Sequence, residues 1–249
     1  MLPSESRSLL SDIASFVLKK PVVPTLVEYA TVAEREDNCQ RILQRLGVSV
    51  TKYAVLNEHR IGVNAPVSFV FEELLGWDAG SLCWPNRIAR PERESGSLER
   101  IRFFLLDKRD SLFGLKSGFL GLDFIPLFQI DKLKFQEEPD PSFDNARYLL
   151  YECSGGYPIG IFYIYTRSSI AARGERDPAQ VFFGVGFNFY GREDWPKRQL
   201  INNLWEAVHN RVTANILNRF KRLCEAKFLA VTGGRPIGSP GPQRSRPRR

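Results

Sequence analysis

Cysteine is scarce in this 249-residue chain. Its four cysteines, Cys39, Cys83, Cys153 and Cys224, are widely scattered and form no C-x-x-C pair, and only two histidines, His59 and His209, stand beside them. A structural zinc site needs clustered ligand pairs, and a disulfide framework belongs to short secreted chains. Neither is expected here, and no metal or other cofactor is implied. Long apolar runs are missing as well. The greasiest stretch, 112–130, is interrupted by Lys116 and Asp123, so it falls short of the ~18 uncharged residues expected of a membrane-spanning helix. The opening segment MLPSESRSLLSDIASFVLKK carries Glu5 and no extended apolar core, which argues against a signal peptide and for a cytoplasmic protein. Gly184-Val-Gly186 lies inside an alternating run with no helix directly after it, so a dinucleotide loop is excluded for lack of context.

What the chain does have is an ordinary globular composition, with 43% hydrophobic and 25% charged residues. Its net charge of +7 is unevenly placed. After residue 230 there are no acids, while Arg235, Arg244, Arg246, Arg248 and Arg249 all lie there. Without those five arginines the rest of the chain carries only +2. The Gly-, Pro-, Ser- and Arg-rich terminus 229–249 is expected to be a disordered basic tail, because it cannot bury enough apolar surface to offset its ordering entropy. Weak attraction of that tail to anionic surfaces is the alternative reading; specific nucleic-acid binding is not expected.

Residues 5–20 and 25–46 read as two helices parted by Pro21 and Pro24, with Gly47 placed to end the second. Together, residues 1–50 are expected to form a helical extension rather than a separate domain. From Thr51 the period changes to two: Tyr53, Val55, His59, Ile61 and Val63 alternate with Lys52, Glu58, Arg60 and Gly62, a strand with one buried face. Asn64-Ala65-Pro66 then reads as a helix start, with Asn64 as cap, before Val67, Val70, Phe71, Leu74 and Leu75. Strand candidates follow at 98–107, 112–120, 124–137, 146–154, 157–167 and 180–190, giving about seven strands in an antiparallel meander. The 157–167 segment is apolar on both faces, Ile159, Ile161, Tyr163 and Tyr165 on one and Phe162 and Ile164 on the other. Something must therefore cover its outer side, either the N-terminal helices or a second chain. The glycine face of 180–190, Gly184, Gly186 and Asn188, is expected to receive the long C-terminal helix or to form a cavity wall, with Asn188 as a polar contact.

The last element is a long helix. Steps of four from Leu200 give Leu204, Val208, Val212, Ile216, Phe220, Cys224 and Phe228, all apolar. Each step of four advances an α-helix by about 400°, so the row drifts by about 40° and suits a curved surface.

A strand leading into Ile61-Gly-Val-Asn-Ala-Pro-Val-Ser-Phe-Val-Phe71, a Trp84-Pro85 loop, Gly96-Ser-Leu-Glu-Arg-Ile-Arg102 entering the next strand, further antiparallel strands and Glu206-Ala-Val-His-Asn-Arg-Val-Thr213 within a terminal helix resemble the START-like, or helix-grip, superfamily. That group includes polyketide cyclase/dehydrase-like, lipid-transfer and Bet v 1-like proteins. The resemblance covers residues 51–228, and its motifs are degenerate, so order and spacing carry it. It implies an α+β fold, in which a strongly curved antiparallel sheet wraps one long C-terminal helix and a cavity between them takes an apolar small molecule.

No catalytic motif stands out. His59, on the apolar face of the first strand, and His209, beside the helical stripe, are the groups that titrate near neutral pH. If they meet across the cavity, acid–base chemistry of a cyclase or dehydratase kind becomes an alternative, with Asp123 or Glu152 as the carboxylate. The preferred expectation is a non-catalytic binder or carrier of an apolar or amphipathic ligand, with His59, Trp84, Tyr163, Asn188, Trp205 and His209 as cavity contributors. An interaction module without a ligand is the third reading. Whether the chain is a monomer or a homodimer is left open by the residues.

Overall fold

The computed structural model describes Ala14 and residues 17–48, 55–76, 90–93, 100–104, 126–141, 145–154, 159–169, 178–187 and 199–233. The strand expected at 112–120, Trp84, Asn188, Asp123 and the Arg-rich tail lie outside them.

Helix α1 spans Val32–Arg45, not 25–46. Thr31 caps it by accepting from the Glu34 N–H at 3.1 Å, and the Glu34 carboxylate reaches back to the Ala30 N–H at 3.0 Å, a reciprocal T-x-x-E arrangement. Its end is a Schellman turn. Gly47, at φ +79°, donates to the Gln44 carbonyl and Val48 donates to that of Leu43. Residues 25–27, expected to be helical, instead run extended along strand β1 (Val55–Pro66): Val27 N–H donates to Glu58 O, Arg60 N–H donates to Thr25 O, and Leu26 bridges His59. The open edge of β1 is thereby covered, which removes a site for unwanted strand pairing.

Strand β1 runs through Pro66, so Asn64 is not a helix cap. Helix α2 (Val67–Leu75) starts directly after the proline, while the Asn64 N–H donates to Glu225 Oε1 at 2.8 Å. Strands β2 (Arg90–Arg93), β3 (Arg100–Phe104), β4 (Pro126–Asp140), β5 (Ala146–Ser154), β6 (Ile159–Ser168) and β7 (Pro178–Phe187) complete a seven-stranded sheet in the order β1-β7-β6-β5-β4-β3-β2. These are the strands among the described residues; β2 was not expected, and the expected strand at 112–120 lies outside them. All pairings are antiparallel. Register shifts interrupt the β4–β5 ladder twice and the β1–β7, β3–β4 and β6–β7 ladders once each, and such bulges bend and twist a sheet.

Helix α3, Gln199–Val231, extends three residues past the expected end and is about 50 Å long at 1.5 Å per residue. It crosses the inner face of the sheet beside β1. Ile61, Val63, Leu149, Phe162, Ile164, Val181 and Val185 from the sheet, α2's Val70, Phe71 and Leu74, and α3's Leu217, Phe220 and Cys224 form the inner core. Three polar contacts tie the second half of α3 to β1 and α2, with an ion pair inside the helix supporting them. Lys221 donates to Gly62 O at 2.7 Å and pairs with Glu225 at 2.6 Å, Glu225 holds Asn64, and Lys227 pairs with the Glu73 carboxylate.

The expected step-of-four row is buried only in its second half. Leu200 and Leu204 are 84% and 66% exposed, whereas Phe220 and Cys224 are buried. In the first half the burial falls one position later, on His209, Thr213 and Leu217, with Trp205 half-buried at its start. One three-residue step, from Leu217 to Phe220, joins the two halves. It turns the row back by about 60°, offsetting the drift of about 40° per four-residue step.

The outer face has its own core. Cys39, Ile42, Leu43 and Leu46 pack on Leu56, Tyr148, Leu150, Ile161, Tyr163, Tyr165 and Phe182. Helix α1 therefore covers the double-faced β6 from within the chain, and β1 is buried on both sides at its centre: Leu56, Asn57, Glu58 and His59 are all inaccessible. The expectation of a single buried face for that strand is corrected accordingly. Gly184 also faces outward, towards the Tyr163 ring and not towards α3. A Cβ at Gly184 would lie 1.9 Å from Tyr163 Cζ, so the missing side chain makes room for an aromatic ring of the neighbouring strand.

Candidate functional site

The polar residues of the inner side gather where α3 crosses β1. Period two puts Asn57 and His59 on the same face of β1 as Ile61 and Val63. Asn210, one residue after His209 on α3, comes down on this pair. Asn57 Nδ2 donates to Asn210 Oδ1 at 3.1 Å, and His59 Nε2 lies 3.2 Å from the same oxygen. An amide oxygen only accepts, which assigns the imidazole proton to Nε2 and leaves Nδ1 to accept from the Thr25 hydroxyl at 2.9 Å. The chain of contacts continues outward: Arg35 Nη1 donates to Asn57 Oδ1 at 3.1 Å and pairs with Glu206 at 3.5 Å. Residues from α1, β1, α3 and the segment before α1 are thus tied into one network.

His59 has no exposed surface, and burial lowers its pKa to about 4, partly opposed by the Asn210 contact. His209 is also buried, with Thr213 Oγ1 3.3 Å from its Nδ1 and the Trp205 ring 6.4 Å away. Burial, reinforced by the nearby His59, lowers its pKa to about 3. Both histidines are therefore neutral at physiological pH, each bonded to neighbours other than the other histidine. His59 has both ring nitrogens committed to neighbours, an arrangement that fixes a ring in place and holds no proton ready to donate. Of the two carboxylates considered as partners, Glu152 is exposed on β5 and Asp123 lies outside the described residues.

The other expected cavity residues divide. Trp205 is half-buried on the inner side, next to the core. Tyr163 is not on that side. It packs in the outer core because the period of two that places Phe162 and Ile164 inward turns it outward, where its hydroxyl lies against the Cys39 thiol. Trp84 and Asn188 lie outside the described residues. Thr25, Asn57 and Asn210 were not singled out from the sequence. The available signal was a polar residue interrupting an apolar face in both β1 and α3.

Around this network the inner side is aromatic. Tyr151 stacks on Phe162 at 4.7 Å, Phe162 on Phe183 at 5.4 Å, and Phe69 meets Phe228 edge-on at 5.2 Å. Phe69, Phe183, Trp205, Ile216 and Phe228 remain only partly buried against the inner core. Among the described residues no group of three metal-ligating side chains converges, and no helix is long and apolar enough to cross a membrane.

No family model matches the sequence, and no curated protein matches it. Similar solved structures include a conserved protein from Geobacillus kaustophilus (13% identity, 70% of this chain and 96% of that one, TM-score 0.36). The Zhui aromatase/cyclase from a Streptomyces species is similar at 13% identity, over 68% of this chain and 95% of that one, with a TM-score of 0.34. Norcoclaurine synthase from Thalictrum flavum, in complex with dopamine and hydroxybenzaldehyde, is similar at 9% identity, over 78% of this chain and 97% of that one, with a TM-score of 0.35. Likeness at this level says nothing about substrate or mechanism. The strand order, the helix after β1 and the long terminal helix across the concave face make this a START-like, Bet v 1-like helix-grip fold.

Proposed function

We propose that this protein binds or carries an apolar or amphipathic small molecule between the inner face of the sheet and α3, without catalysing a reaction on it. The observation that carries this reading is the row of half-buried aromatic and aliphatic side chains, Phe69, Phe183, Trp205, Ile216 and Phe228, along the inner core. Leu200 and Leu204, exposed on the first turns of α3, extend the apolar surface in need of a partner. A cyclase-like use of His59 has no support from a ring that is neutral, buried and bonded at both nitrogens. In this reading residues 51–228 hold the ligand, residues 1–50 cover the outer face and the Arg-rich terminus stays in solvent.

Native mass spectrometry of the full chain purified from cells tests this. A co-purifying small molecule, released by organic solvent and displaced by a fluorescent fatty acid, is expected. A chain that emerges unliganded and takes up neither a fatty acid nor a polycyclic aromatic probe would refute the reading.

A further inference from the structure

On the opposite side of the sheet, between α1 and strands β1, β6 and β7, lies a hollow of about 280 Å³. Arg41 and Arg45 enter it from α1, one helical turn apart, with Arg60 from β1 and Arg167 from β6. Its one carboxylate is Glu58, 3% exposed, which accepts from Asn38 Nδ2 at 2.7 Å and from the Tyr29 hydroxyl. Apolar wall is supplied by Tyr165 and Phe182, whose rings stack at 4.3 Å, and the Arg167 guanidinium sits 5.1 Å over the Phe182 ring. Arg41, Arg45 and Arg60 are exposed, so the hollow opens to solvent along its basic rim.

Four guanidinium groups brought into one recess around a single carboxylate create a positive potential, which the low-dielectric walls beneath concentrate. Arg41 spends part of its capacity locally, donating to Asn38 Oδ1 at 2.8 Å and lying 3.7 Å from Asp37. Arg60 and Arg45 reach the recess from different elements, so their planar forks approach a common guest from two sides. A carboxylate guest is satisfied by one bidentate fork and brings one charge. A phosphomonoester brings close to two charges and three acceptor oxygens, enough to engage forks from α1 and β1 together. The volume is at the lower end for small-molecule sites, which limits the rest of the guest to a ring or short chain lying against Tyr165 and Phe182.

We propose that this hollow is a second binding site, specific for a phosphomonoester group on a small apolar body. It lies on the far face of the sheet from the apolar site proposed above and stands independently of that reading.

Titration calorimetry of the full chain with phenyl phosphate, in 150 mM salt (on the order of physiological ionic strength), tests it. Saturable binding is expected, tighter than that of benzoate. Replacing Arg45→Gln and Arg60→Gln together, at two exposed positions, is expected to weaken it tenfold or more with the thermal midpoint of the free protein unchanged. Glu58→Gln, which keeps the shape and removes the opposing charge, is expected to tighten it severalfold. Absence of saturable binding, equal affinity for benzoate, or unaltered affinity in the double arginine variant would overturn the assignment. Vesicles of phosphatidylcholine with and without phosphatidic acid identify the source of the group. Co-sedimentation with phosphatidic acid that phenyl phosphate reverses indicates a lipid headgroup. Phenyl phosphate binding without co-sedimentation indicates a free metabolite.

Discussion

Replacing Gly184→Ala places a methyl carbon 1.9 Å from Tyr163 Cζ, 2.1 Å from Cε1 and 2.3 Å from the hydroxyl oxygen. Ordinary contact begins at 3.4 Å, so the ring must retreat by about 1.5 Å. Tyr163 is fully buried between Cys39 of α1 and the Tyr165 ring, 6.1 Å away, and β6 is hydrogen-bonded to β5 and β7 on either side. Neither ring nor strand can move alone, and overpacking of this kind costs about 3 kcal/mol, the upper end of its usual range. Tyr163→Ala alone costs about 3–5 kcal/mol as a cavity. In the double variant the methyl group enters the space the ring has left, so the two losses do not add. A coupling of about 2–3 kcal/mol is expected, read from urea midpoints of the four proteins at constant m-value. Additivity to within about 0.5 kcal/mol would refute the account of Gly184 as the seat of the Tyr163 ring.

Three further outcomes follow from the same contacts. His59 and His209 are held neutral with pKa values of about 4 and 3 against about 6.5 when unfolded, so below pH 6.5 the unfolded chain takes up protons that the folded one refuses. Stability is therefore intact above pH 7 and falls towards pH 4, by up to about 1.4 kcal/mol per pH unit for each histidine. Glu58, whose pKa burial raises, works in the opposite sense at the acid end. Urea unfolding at pH 7 and pH 5 checks this, and a midpoint that does not change sinks the case for buried neutral rings. Asn210→Leu removes the acceptor of both Asn57 Nδ2 and His59 Nε2 and is expected to cost about 2–4 kcal/mol, measured by thermal denaturation. Deleting residues 1–48 uncovers Leu56, Tyr148, Tyr163, Tyr165 and Phe182, and size-exclusion chromatography should show association or aggregation; a monomer of unchanged stability contradicts the role given to α1.

The sequence pattern was most informative where one physical cause dominates. The change of period at β1, the two apolar faces of β6 and the glycine ending α1 each reflect local backbone chemistry or burial, and each is visible in the structure. It misled where a partner distant in sequence decides. Residues 25–27 have no strand signal of their own and become extended because β1 has an edge to cover. Asn64 is a good cap by type, but Glu225 claims its N–H. The glycine face of β7 was read as receiving the long helix or lining a cavity, and it does neither: Gly184 seats the Tyr163 ring on the outer side. Which face of the sheet it occupies depends on register with Tyr163, and that is set by pairing and not by composition. The histidines show the same limit: residue type marks them as titratable, and only Thr25 and Asn210 reveal that the His59 ring is locked.

The segment ahead of α1 has a consequence for the order of folding. Leu18 and Lys19 carbonyls receive the side chains of Arg211 and Asn215, and Asn218 clasps Val23 at both its N–H and its carbonyl, contacts that span 193 to 196 positions. The partners of the strap are thus made long after the strap itself. Until α3 has been made the strap lacks these partners, so its seating is a long-range and therefore late step of folding.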